Sequence, residues 1–351
     1  MKYLIYREFF PKQRPMMAIV KESHLLVVLV IWIIVWCFTV FNPILVPFDL
    51  KQHGQMQIGR RTRRGQDFHS TKTKRTILTF KDAPECTAIH PTVLLYNRIF
   101  KTGSTSMTCI INSVKHSMNF AMDFATTEDW YDKRRKPLYP NLLTRHARRA
   151  LTQTNHTRFV FIAHFYFRSR LKRLHYSHTY INQVRDPVRR VISHYFYLHR
   201  SQERPLNRIR KMKKSGFINE TLEECLAKQH PGCESNLMTR FFCGKHSFCR
   251  SGSNKALSKA KHNISRYYAS VGLLEHFSLY LRVLNKRLPE FVSVVDNLQA
   301  KKVNRFYNES KISKKTIQVI RKMNSADIKL YEYIQKRFWR QVKACGLLNT
   351  I

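Results

Sequence analysis

Negative charge is what this chain most lacks. It carries 22 Asp and Glu against 63 Lys and Arg, a formal charge of +41. An imbalance that large exceeds what solubility needs and implies a polyanion or an acidic surface as partner. Also missing is the spacing G-x-x-x-x-G-K-[ST], which excludes a nucleoside-triphosphatase loop and argues against a nucleotide kinase. None of the 8 cysteines stands in C-x-x-C spacing, so the cysteines argue for disulfides in an oxidising compartment rather than for zinc. No internal repeat is present. From Lys51 to about Ala83 there is no apolar period either, only polar and basic sequence with Arg60-Arg61 and Arg63-Arg64, which reads as a flexible stem.

A long uncharged run is present only near the N-terminus. Leu25 to Phe41 carries no charge and apolar character continues to about Val46, long enough to span a bilayer. Lys2, Arg7, Lys12, Arg14 and Lys21 precede it, as in a cytosolic tail. Trp36, Phe38 and Phe41 occupy the place where a signal peptidase wants small residues, so the run reads as an uncleaved signal anchor. The expected organisation is a cytosolic tail at 1–24, the anchor at 25–46, the stem at 47–83 and a lumenal domain at 84–351. Four sequons after the anchor fit that address: Asn155, Asn219, Asn263 and Asn308. Cys225 with Cys233, and Cys243 with Cys249, bracket short loops and are expected to pair locally. Cys86 and Cys345 either pair or stay reduced, Cys37 lies in the anchor and Cys109 in a helix.

The chemistry centres on Leu94-Leu95-Tyr96-Asn97-Arg98-Ile99-Phe100-Lys101-Thr102-Gly103-Ser104-Thr105-Ser106. It reads as a buried strand, a loop and a helix N-terminus whose N–H groups favour an anion. Gly103 lets backbone approach a ligand, Lys101 supplies a positive charge, and Thr102, Ser104, Thr105 and Ser106 supply hydroxyls. Next, Arg158 to His164 is a short aromatic and β-branched run delivering a histidine at its end, where neutral imidazole suits a general base. In Thr179 to Leu198 a strand ends at Arg185, Asp186 caps, Pro187 opens a helix, and Arg185 and Ser193 can face one anion. Further helices are expected at 104–116, 142–151, 254–265, 273–288 and 316–342. Strands are expected at about 93–99, 158–163, 179–184 and 268–272, giving an α/β fold with a central, mainly parallel sheet and helices on both faces.

Lys101-Thr-Gly-Ser-Thr-Ser106, Val184-Arg-Asp-Pro187 with Ser193, Cys225, Cys233 and Phe241-Phe-Cys-Gly244 with Cys249 occur in an order that resembles the glycosaminoglycan uronyl 2-O-sulfotransferase family. The likeness spans roughly Thr92 to Leu347. The resemblance implies a P-loop-like sulfotransferase fold in a type II Golgi membrane enzyme, with 3′-phosphoadenosine 5′-phosphosulfate as co-substrate and no metal. By that likeness Lys101 to Ser106 hold the 5′-phosphosulfate, Lys101 stabilises the leaving phosphate, and Arg185 and Ser193 hold the 3′-phosphate. His164 falls at the catalytic-base position. Arg98, Arg204, Arg208 and Arg210 contact a sulfated glycosaminoglycan acceptor rather than nucleic acid, and a homotrimer is implied. Heparan sulfate is the favoured acceptor and chondroitin/dermatan sulfate the second. Three positions depart from the pattern: Ile162 stands where the family has the first histidine of His-x-His, and Phe100 and Gly103 stand where the heparan enzyme has proline and alanine.

Overall fold

Val93–Asn97 (β1) is buried at every position, and so is His178–Val184 (β4), because both lie inside a parallel sheet covered on each side. Strands in that setting read as continuous apolar runs rather than alternating ones. Phe120–Phe124 (β2), Arg158–Ala163 (β3) and Tyr268–Leu273 (β5) complete five parallel strands in the order β2-β3-β1-β4-β5. In register, Tyr96 lies beside Ile162 of β3 and Ile181 of β4.

The computed structural model describes residues 77–80, 86–124, 139–169, 171, 174–199, 219–292 and 312–348. All fall in one compact unit, Thr71–Ile351. The tail, the expected anchor at 25–46 and most of the stem lie outside the described residues, among which no helix is long and apolar enough to cross a membrane. Ile77 bridges to His178, and Phe80 N–H donates to the Arg266 carbonyl.

Helices flank the sheet. Ser104–Val114 (α1) follows β1, Tyr139–Thr152 (α2) packs on β3, and Pro187–His199 (α3) follows β4. After α3 come Leu222–Lys228 (α4), Leu237–Cys243 (α5) and Asn254–Tyr267 (α6), and after β5 come Phe277–Arg287 (α7), Lys314–Met323 (α8) and Ser325–Ala344 (α9). Local signals explain several starts. Asp186 Oδ1 accepts from Arg189 N–H at the head of α3, and Thr221 with Glu224 forms a reciprocal capping box on α4. Three disulfides close the unit: Cys225–Cys233, Cys243–Cys249 and Cys86–Cys345, the last joining residues 259 apart. Cys109 is in none of them.

The sheet has one strand more than the sequence suggests. Phe-Ala-Met-Asp-Phe (β2) lacks β-branched residues and sits half-exposed at the edge, so neither composition nor alternation marks it. The helix expected over 316–342 is two helices, broken at Asn324. That asparagine is fully buried, its Nδ2 donates to the Ile320 carbonyl and its Oδ1 accepts from Asn236 N–H. Among the sequons, Asn155 and Asn219 are exposed and Asn308 lies outside the described residues. Asn263 must be corrected: it is fully buried, and Nδ2, the atom a glycan would occupy, donates to the carbonyls of Phe242 and Cys243.

Candidate active site

The chain leaves β1 toward β2 on one side and leaves β4 toward β5 on the other. Where neighbouring parallel strands send their connections opposite ways, a crevice opens beyond their carboxyl ends. That crevice is where the loop 98–103, His164 and Arg185 emerge.

Lys101 and Gly103 both have positive φ, 61° and 80°. Left-handed backbone is unusual for lysine and is held in place by its surroundings, a common mark of a functional loop. Gly103 is the N-cap of α1 and, having no side chain, leaves the first N–H groups of the helix without a side-chain cap. Those groups and the helix dipole make a site for an anion. Thr102 is buried, its Oγ1 donating to the Ile99 carbonyl at 3.1 Å. Ser104 is buried, Ser106 half-buried and Thr105 exposed. Lys101 Nζ lies 4.1 Å from the ring centre of Tyr197 in α3. Tyr197 stands one turn beyond Ser193, so this contact brings the loop to the helix that carries Ser193.

His164 is 1% exposed, and its Nδ1 lies 2.9 Å from the carbonyl oxygen of Arg98. A carbonyl only accepts, so Nδ1 carries the proton and the lone pair of the neutral ring is on Nε2. Nε2 is buried with no partner among the described residues. Leaving such an atom unsatisfied costs about 1–3 kcal/mol, which an arriving hydroxyl would recover. Burial holds the His164 pKa well below the ordinary histidine value, the Arg98 charge adds to that, and the hydrogen bond to the Arg98 carbonyl opposes it. Arg98 is itself buried, its guanidinium carbon 4.9 Å from the Phe124 ring centre and its Nε without a partner among the described residues. Arg185 is half-buried at the mouth of β4 and Ser193 is buried in α3. Arg204, Arg208 and Arg210 lie outside the described residues.

Phe100 explains itself here. Its ring stacks on His164 with centroids 3.8 Å apart and 5° between planes, it also stacks on the buried His194 of α3 at 5.2 Å and 13°, and it meets Phe241 edge-on at 6.2 Å. The loop residue is thus a spacer between two imidazoles, and His194 Nδ1 stands 4.0 Å from Glu234. Replacing Phe100 by Leu removes both stacking contacts at similar volume and is expected to lower stability by about 1 kcal/mol, read as the shift in urea midpoint at constant slope. Sequence reasoning passed over His194 although it adjoins Ser193; its spacing to Tyr197 (i, i+3) was the available signal. Ile162 is fully buried in the main core, so nothing at that position contributes an imidazole.

The residues present suit a phosphosulfate donor: an uncapped helix start, a glycine on which a Cβ would be crowded, a lysine on the loop, and a buried imidazole with its lone pair available. Among the described residues no group of His, Cys, Asp or Glu is arranged to hold a metal ion.

Comparison with known proteins agrees in kind. The chain is similar to mouse (Mus musculus) uronyl 2-sulfotransferase, 24% identical over 280 residues, which is 74% of this chain and 66% of that protein. It is also similar to Caenorhabditis elegans heparan sulfate 2-O-sulfotransferase hst-2, 26% identical over 266 residues covering 70% of this chain and 78% of that one. Heparan sulfate 2-O-sulfotransferase 1 of Cricetulus griseus is 27% identical over 263 residues, 70% of either chain. The chain therefore spans just under two thirds of the mouse uronyl enzyme's length. Residues 87–334, from the strand-loop-helix of β1 and α1 to the middle of α9, match the sulfotransferase family, and the chain belongs to it.

Proposed function

We propose that this protein transfers sulfate from 3′-phosphoadenosine 5′-phosphosulfate to the 2-hydroxyl of uronic acid residues in a glycosaminoglycan, with heparan sulfate preferred. The observation that carries the reading is His164: a buried imidazole with Nδ1–H committed to the Arg98 carbonyl and Nε2 unsatisfied, beside an uncapped helix start. The bound donor supplies the sulfuryl group. Nε2 of His164 takes the proton of the acceptor hydroxyl as that oxygen attacks, and Lys101 balances the charge developing on the phosphate side. Arg185 and Ser193 fit the 3′-phosphate. Arg98, a buried guanidinium, fits an acceptor carboxylate or sulfate through charge-assisted bonds, and Arg204, Arg208 and Arg210 extend that contact. The excess of 63 basic over 22 acidic residues favours a polyanionic acceptor. We further place the protein in the Golgi membrane as a single-pass type II protein anchored by residues 25–46, with the catalytic part lumenal, and we infer a homotrimer from the family resemblance.

The second acceptor reading is chondroitin/dermatan sulfate, supported by the resemblance of Phe242-Cys-Gly-Lys-His-Ser-Phe-Cys-Arg250 and Lys343-Ala-Cys-Gly-Leu347 to that branch of the family. One experiment separates the readings. Full-length protein is given labelled donor with desulfated heparan and with dermatan side by side, and the product is mapped. Label at uronic acid O2 of heparan is the expected result, and label only in dermatan moves the assignment to the second acceptor. Donor binding with no transfer to either would leave a polyanion-binding protein that kept the fold and lost the reaction.

A further inference from the structure

The turn that opens α1 is held from the side by a residue that no motif marks. Gln183, next to last in β4, is fully buried. Its Nε2 donates to the carbonyl of Thr102, while its Oε1 has no partner among the described residues. Its backbone is fixed in turn. Gln183 N–H donates to Asn182 Oδ1 at 2.8 Å, and Asn182 Nδ2 donates to the backbone carbonyl and side-chain oxygen of Asn97 at 2.6 and 3.0 Å. Tyr268 closes that network with its hydroxyl on Asn97 Oδ1 at 3.1 Å. The glutamine amide is therefore presented to the loop from a rigid, buried base.

Gly103 meets the same amide. A Cβ at Gly103 would stand 2.7 Å from Gln183 Nε2 and would also collide with Leu274 Cδ1. The backbone conformation there, φ 80°, disfavours any side chain as well. Glycine at 103 and glutamine at 183 are thus matched: the first leaves the space that the second fills.

A trans peptide unit points its C=O and its N–H to opposite sides. Tying the Thr102 carbonyl to β4 commits the Gly103 N–H to the side away from β4. An anion at a helix start needs N–H groups facing it and carbonyl oxygens turned away, since a carbonyl dipole aimed at an anion repels it. We propose that Gln183 is the positioning residue of the donor loop: it fixes the Thr102–Gly103 peptide so that N–H rather than C=O faces a phosphate or phosphosulfate, and Gly103 exists to admit its amide. The proposal rests on reading this loop as the donor site.

The test uses the full-length protein, with calorimetric titration of 3′-phosphoadenosine 5′-phosphate and steady-state kinetics in the acceptor. Gln183→Leu removes the donor group at similar size and is expected to weaken 3′-phosphoadenosine 5′-phosphate about tenfold. Gln183→Glu sets an acceptor-only carboxylate against the carbonyl and the anion, and should weaken it about a hundredfold. In both, the acceptor KM moves less than about twofold, a split that a general loss of packing would not produce. Gly103→Ala displaces the same amide from the loop side. If Gln183→Leu does not fold, this variant carries the test: it too must lose affinity for 3′-phosphoadenosine 5′-phosphate selectively. Variants that bind it as the wild type does, or that lose donor and acceptor affinity in equal measure, overturn the role of Gln183. Wild-type protein that does not bind 3′-phosphoadenosine 5′-phosphate overturns the donor-site reading itself, so the two failures are distinguishable.

Discussion

His164→Gln is expected to cut sulfate transfer by about a thousandfold, within the range of a lost general base, while affinity for 3′-phosphoadenosine 5′-phosphate changes less than about twofold. Glutamine can still donate to the Arg98 carbonyl that holds Nδ1 of the native ring, so the strand end keeps its tie. What it lacks is a basic nitrogen in the place of Nε2. Turnover within tenfold of wild type would remove His164 from the reaction and move the base elsewhere. The pH dependence gives a second reading of the same residue. Because burial depresses the His164 pKa, the basic form persists as pH falls. The acid limb of kcat/KM then lies below the ordinary histidine value of about 6.5 rather than at it. Stability follows the same sign. Below about pH 6.5 the unfolded chain binds a proton at this position that the folded protein refuses, so the contribution is intact above that pH and is lost on the way down to the lowered folded value.

How far the sequence alone reaches depends on what kind of contact a residue makes. β1 and β3 are legible because strands buried on both faces are largely apolar. β4 buries His178, Thr179, Asn182 and Gln183 among its apolar residues and is legible from the Asp186-Pro187 helix start that follows it. The loop from Lys101 to Ser106 is legible because anion binding at a helix start needs small, hydroxylated and basic residues in a row. Local pairing of Cys225 with Cys233 and of Cys243 with Cys249 follows from short loops. Gln183 is different. It looks like one more polar residue near a strand end, and its meaning depends on β4 lying beside β1 so that its amide reaches Thr102. The break at Asn324 has the same origin: the periodicity of 316–342 is helical on both sides of it, and only the partner at Asn236 shows why the chain stops and restarts. Asn263 shows the converse, a local motif overruled by burial that only packing reveals.

That junction of asparagines and an aspartate also sets the largest stability effect. Asn236 Oδ1 accepts from Ala326 and Asp327 N–H at the start of α9, at 3.0 and 3.2 Å. Asp327 answers by accepting from Met238 and Thr239 N–H at the start of α5, at 3.0 and 2.7 Å. Two helices thus cap each other's first turn, and both acceptors are buried. Burial pushes the Asp327 carboxyl upward, while the guanidinium of Arg190, itself fully buried in α3, pulls it down together with the two backbone donors. Asp327→Ala therefore removes more than a cap. It leaves two buried N–H groups without their acceptor and takes away the carboxylate facing Arg190, and breaking such a buried arrangement from one side costs about 3–5 kcal/mol. Asp327→Asn keeps the shape and one acceptor, so it should cost about half as much, the remainder being the lost charge. Urea unfolding of the two variants measures both quantities. A loss below about 1 kcal/mol for Asp327→Ala would mean that water or a relaxed helix start replaces the carboxylate at little cost. Because Arg190 lies on the helix that presents Ser193 and His194 to the loop, Asp327→Asn should also loosen that face, and donor affinity should fall in the variant even where the fold survives.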